Sequence, residues 1–169
     1  HARALGRHRP VRRPRAGARG VILCVEVALT IPDNEARTAL STLQRLGVPA
    51  ATLERADLYR FDVAEDAAEA LVAMLRGFEA VFNPSVHALR VRPGERPATG
   101  EVWVDEAGSE QTAPPVRIAG RALPGVRGLE RFKAWRLARA DGSPADAATL
   151  TAATETLLCN SAFQKVIRA

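Results

Sequence analysis

The pattern that most constrains this 169-residue chain is a repeat. Set LERADLYRF, residues 53–61, over LERFKAWRL, residues 129–137. The Leu-Glu-Arg start is identical, Tyr59 meets Trp135, Arg60 meets Arg136 and Phe61 meets Leu137. Further on, Asn83 of VFNP recurs as Asn160 of LLCNS, an offset of 77 residues. That period is about twice the length of most solenoid repeats. Two units of this size pair about a pseudo-twofold rather than stack as an array.

The elements read alike in the two halves. VILCVEVAL, residues 21–29, is β-rich and predicts a strand. Asp33 or Asn34 is placed to cap a helix over EARTALSTLQRLG, with Ala36, Leu40, Leu43 and Leu46 at helical spacing and Gly47 as the stop. TLERADLYRFDV, 52–63, alternates as a long strand. Asp62 or Asp66 opens a second helix bearing Ala68, Leu71, Val72 and Leu75, and SVHALRV is the third strand. In the second half, EVWV is a strand, and Pro114 and Pro115 open a short helix through Val116, Ile118, Ala122 and Leu123. The LERFKAWRL strand follows. A helix led by Ser143 or Asp146 then carries Leu150, Thr154, Leu157 and Leu158 on one face, and SAFQKVI closes the chain as a strand. The expected fold is α+β: two tandem βαβαβ units over 21–92 and 101–169, joined by a linker at 93–100. Each lays its helices on one face of a mainly antiparallel sheet. The Asn residues are expected to cap the last helix of each half, with Pro84 as a further stop and His87 as an ordinary strand residue.

Charge separates a tail from the folded part. Residues 1–20 hold seven Arg and no acid; the remainder has 17 basic against 19 acidic residues, a net of −2. The tail is expected to be disordered, either native or an expression remnant, since the chain starts with His. Its charge admits a nucleic-acid arm, but it lacks interleaved aromatics, and nucleic acid is not expected as a partner. No apolar run reaches the length of a membrane span, and no secretory signal is present, so a cytoplasmic protein is expected. Cys24 and Cys159 have no metal-type spacing and read as reduced, buried thiols.

Chemistry-bearing patterns are sparse. There is no HExxH, phosphate loop or GxSxG, and His1, His8 and His87 are too scattered for a triad or a metal site. Glu65-Asp66 and Asp105-Glu106 sit where caps and turns are expected. No catalytic residue, metal or cofactor is expected. Candidate interface residues lie instead on the two long strands: Arg55 and Tyr59 in the first half, Arg131, Lys133 and Trp135 in the second. Filling the cores is the other role open to Tyr59 and Trp135.

Each half resembles the PurS-type small subunit of phosphoribosylformylglycinamidine synthase. The likeness rests on the Leu46-Gly47 helix end (loosely Leu123-Pro124-Gly125), on Leu53-Glu54-Arg55 and Leu129-Glu130-Arg131, and on the stops at Asn83-Pro84 and Asn160-Ser161. The family has Gly-Lys after the strand Arg; here stand Ala56-Asp57 and Phe132-Lys133, so only Lys133 keeps the basic residue. The resemblance implies a unit that dimerises through its sheet, here as a covalent pseudo-dimer. It also implies a non-catalytic subunit of a glutamine-dependent, ATP-consuming amidoligase of purine biosynthesis. Its partners would be the large synthetase subunit and the glutaminase subunit. Independently of the resemblance, small open sheets leave edges to be managed, and homo-oligomerisation through them is expected. A second reading, from another class, is a module that senses a small molecule bound between its halves.

Overall fold

The β-rich, almost wholly apolar run VILCVEVAL forms β1, Gly20–Leu29, which also takes in Gly20, assigned by the sequence to the tail. The computed structural model describes residues 19–169. The expectations of a disordered tail and a nucleic-acid arm therefore fall on residues 1–18, outside the described residues. Helix α1, Asn34–Arg45, starts at Asp33, whose side chain accepts from the amides of Glu35 and Ala36. β2, Thr52–Ala64, runs into a short 3₁₀ turn at Glu65–Ala67 and helix α2, Ala68–Arg76. β3, His87–Val91, completes the first half.

The second half contains β4, Glu101–Asp105, then β5, Arg117–Ile118, and β6, Arg121–Ala122. It continues with β7, Val126–Ala138, helix α3, Ala147–Ala153, a π-helical turn at Thr154–Leu158, and β8, Val166–Arg168. The strands form a six-stranded sheet in the order β3-β1-β2-β7-β4-β8, with β5-β6 a separate pair. Every pairing in the six-stranded sheet is antiparallel. The molecule is an α+β protein. Among the described residues no helix is long and apolar enough to cross a membrane.

Four expectations need correction. The helix expected over 114–123 is the hairpin β5–β6, turned by Ala119 and Gly120, both at positive φ. A two-residue turn of that kind matches strand twist and overrides the weak helical spacing. Neither Asp62 nor Asp66 caps α2: Asp62 is within β2 and binds Arg127, and the 3₁₀ turn has no side-chain cap. Asn83 and Asn160 do not end helices, because α2 stops at Gly77 and the last helical turn at Leu158. Only Val166–Arg168 of SAFQKVI is strand; residues before it form a turn.

The two Asn turns are built alike. Asn83 Oδ1 accepts from the Ser85 amide, and the Asn83 amide donates to His87 Nδ1 at 3.1 Å. Asn160 Oδ1 accepts from the Ala162 amide, and the Asn160 amide donates to Gln164 Oε1 at 2.8 Å. The chain differs at almost every position, yet the hydrogen bonds are the same.

Apolar burial divides into three clusters. One holds Leu71 and Leu75 of α2 on Val25, Tyr59 and Phe61, and closes with Val116, Ile118 and Leu123 from around the second-half hairpin. Another joins Ala36 and Leu43 of α1 to Val102, Val104, Trp135 and Leu137, with Leu150 and Ala153 of α3. Each of these cores thus takes residues from both halves. The third, Cys24, Leu58, Trp103, Phe132 and Ala134, lies on the opposite face of the sheet.

The segment after β3 must reach β4, past β1, β2 and β7, and it does so over that opposite face. Arg92 anchors it, 5.3 Å from the Trp103 ring centre. Its guanidinium binds Glu101 through two bonds of 2.6 and 2.7 Å and Glu26 at 2.9 Å. Arg90 and Arg136 also bind Glu26, and the Ala98 amide donates to Glu101. Glu26 and Glu101 are 1% and 0% exposed. Burial pushes both carboxyls up, but the arginines outweigh it and hold them below the usual value. Gly100, at φ +79, ends the segment where a Cβ would lie 2.7 Å from Pro144 Cβ.

Candidate functional site

The central pair β2–β7 collects the residues singled out in the sequence. Arg55 lies opposite Trp135, Asp57 opposite Lys133, and Tyr59 opposite Arg131. Alternation puts all six on the helix-bearing face, between the two large cores. Tyr59 and Trp135, 4% and 6% exposed, belong to those cores, one to each. Their contacts are within the chain; neither presents an exposed anchor.

The charged side chains form a row. Arg55 Nε binds Asp33 at 2.9 Å, and its Nη1 binds Glu35. Lys133 binds Asp57, with Glu106 at 3.6 Å, and Arg131 binds Glu106 at 2.9 Å with its guanidinium 5.5 Å from the Tyr59 ring centre. Burial raises the Asp33 carboxyl, but the Ala36 amide, Arg55 and the Glu35 amide together lower it below its ordinary value. Burial pushes the Tyr59 hydroxyl up, only partly offset by Arg131. Sequence reasoning found the bases of this row and missed the acids Glu35, Asp57 and Glu106. Asp57 had a signal, because the repeat aligns it with Lys133 and an antiparallel pair can set such positions opposite each other. Glu106, expected as a solvated turn residue, had none.

Beside the row a cleft of about 690 Å³ opens between the halves. Asn34, Thr38 and Thr42 of α1 form one wall; Lys133, Trp135 and Val104 form the floor. Leu157, Leu158 and Gln164 form the other wall. The π-helical turn shapes that wall, with the Cys159 amide donating back to the Thr154 carbonyl at 3.1 Å. The wider turn carries Leu157, expected on an apolar buried face, to 40% exposure. Apolar Val104, Trp135, Leu157 and Leu158 beside polar Asn34, Thr38, Thr42 and Lys133 suit a small amphipathic molecule or a partner's side chain. Among the described residues, no group of His, Cys, Asp and Glu is arranged to hold a metal ion. Burial raises the Cys24 thiol to about 11, and burial also raises Cys159.

Compared with known proteins, the chain matches no protein-family model, no curated protein and no solved structure.

Proposed function

We propose that this chain is a tandem PurS-like subunit, a covalent pseudo-dimer that bridges the glutaminase and ATP-dependent synthetase subunits of a phosphoribosylformylglycinamidine synthase. The observation that carries the reading is the strand register. Val25 pairs with Tyr59 and Val91; Val102 pairs with Trp135 and Arg168. These are the partners a duplication with an offset of 76 to 77 residues requires. The matching turns at Asn83 and Asn160 support it at a place where the side chains differ. The family's strand lysine is present as Lys133, and the position that departs, Asp57, is its ion-pair partner. The antiparallel β2–β7 pairing at the centre of the sheet supports the covalent pseudo-dimer that the resemblance implies.

Reconstitution tests the role. The chain is combined with synthetase and glutaminase subunits from its own source, and glutamine-dependent product formation is followed with and without it. Activity that requires the chain, and survives deletion of residues 1–18, is the expected result. No complex and no change in activity would overturn the purine assignment.

The cleft favours a second reading, a ligand-sensing module. A thermal-shift panel of amino acids and nucleotides would show a rise in melting temperature that Trp135→Ala abolishes. No rise across the panel sets that reading aside.

A further inference from the structure

The two edges of the six-stranded sheet are treated differently. An exposed edge invites another strand and is ordinarily blunted by shortness or by charge. β8 has both devices: it is three residues long and flanked by exposed Lys165 with exposed Arg168 at its end. β3 is five residues long and leaves Val91 46% exposed. Its one arginine, Arg90, keeps a side chain 61% exposed, but its guanidinium reaches back over β1 to Glu26 at 2.8 Å, so its charge is directed away from the edge.

The backbone shows what this edge offers. The Thr30 amide donates to the Val86 carbonyl at 2.8 Å, and the Arg92 amide to the Cys24 carbonyl at 2.9 Å. Antiparallel pairing alternates, so the even-numbered residues here turn their polar groups toward β1 and the odd-numbered ones turn theirs outward. The His87 amide is already donated to the Asn83 carbonyl at 2.8 Å. The outward groups are then the His87 carbonyl and both groups of Leu89 and Val91. No described strand pairs with them.

We infer that the β3 edge is a self-association surface, on which β3 of a second copy pairs antiparallel about Leu89 to continue the sheet across a twofold axis. The register is self-complementary. Leu89 faces Leu89 of the second copy and exchanges both backbone bonds with it. Val91 faces His87 of the second copy and donates its amide to that carbonyl, and the twofold repeats the contact. On the other face Ala88 meets Arg90 of the second copy, so no like charges stand directly opposite. A slip by one residue would set the apolar side chains of one copy against the polar face of the other. The surface is independent of the bridging role, since it uses neither the charged row nor the cleft. A five-residue edge buries much less than a standard interface, so the dimer depends on concentration.

Sedimentation velocity and amide hydrogen exchange over a wide concentration series test this on the full chain. The expected mass rises toward twice 18.1 kDa, while exchange at Leu89 and Val91 slows and exchange at Ala88 and Arg90, already bonded to β1, does not change. Val91→Lys, at an exposed position, keeps the melting temperature and weakens association at least about tenfold. A single 18.1 kDa species at the highest concentration overturns the inference. So does a dimer that Val91→Lys leaves intact, or one in which the Leu89 and Val91 amides exchange at a constant rate.

Discussion

Glu101 is the residue on which the most structure converges. Its carboxylate takes both Arg92 bonds, an amide from the crossing segment and an approach from Arg136 at 3.2 Å. Glu101→Gln keeps the shape and removes the charge, leaving Arg92 and Arg136 with less compensation. We expect a loss of about 3 kcal/mol in stability by chemical denaturation, the order found when one member of a buried pair is removed. The same network sets an acid limit. Glu26 and Glu101 titrate below their ordinary values when folded, so unfolding in acid takes up protons. Their stabilisation is complete above the unfolded glutamate value of about 4.3 and is lost as pH falls through the lower folded values. Melting temperature against pH should therefore fall steeply below that point in the native chain, and less steeply in Glu101→Gln.

Among the elements, the hairpin β5–β6 and the Asn turns invite separate tests. Ala119 holds φ 45, a conformation costly for a residue with a Cβ, ahead of Gly120 at φ 79. Ala119→Asn should stabilise by about 0.5–1 kcal/mol, read as a rise in melting temperature, because Asn-Gly is the favoured pair in such turns. Asn83→Ala and Asn160→Ala each remove a side-chain acceptor from one turn, and each should cost about 1 kcal/mol in a denaturant titration. These elements also mark where the sequence was legible. β1, α1, β2 and β7 announce themselves by period and by the Asp33 cap, since local pattern and tertiary demand agree there. The hairpin did not, because Val116, Ile118 and Ala122 suit a helix or a strand equally and packing on the first-half sheet decides. Nor did the turn after α3, where helical spacing continues through Leu158 while the backbone widens. In the site, Arg55, Lys133 and Trp135 were visible on repeated strands. Their charged partners come from the start of α1, from the loop after β4 and from the other half, which no local spacing encodes.

At the scale of the whole molecule, the covering layers cross between halves. α1 of the first half closes the core over Val102, Val104 and Trp135, and the second-half hairpin closes the core over Val25 and Phe61. Residues 19–92 or 93–169 alone would expose the apolar floor that the other segment covers. Each expressed separately should show little cooperative unfolding by circular dichroism, and mixing the two should restore a single transition. A well-folded isolated half would contradict the shared cores.

That crossing carries a historical consequence if the chain arose by duplication. A segment whose lid sits on its neighbour has no solitary state to return to. The ancestor must then have lived as an obligate pair before two copies came to share one reading frame. Fusion released it from symmetry: a change no longer had to suit two identical surroundings at once. One copy could keep its helix while the other exchanged it for a hairpin.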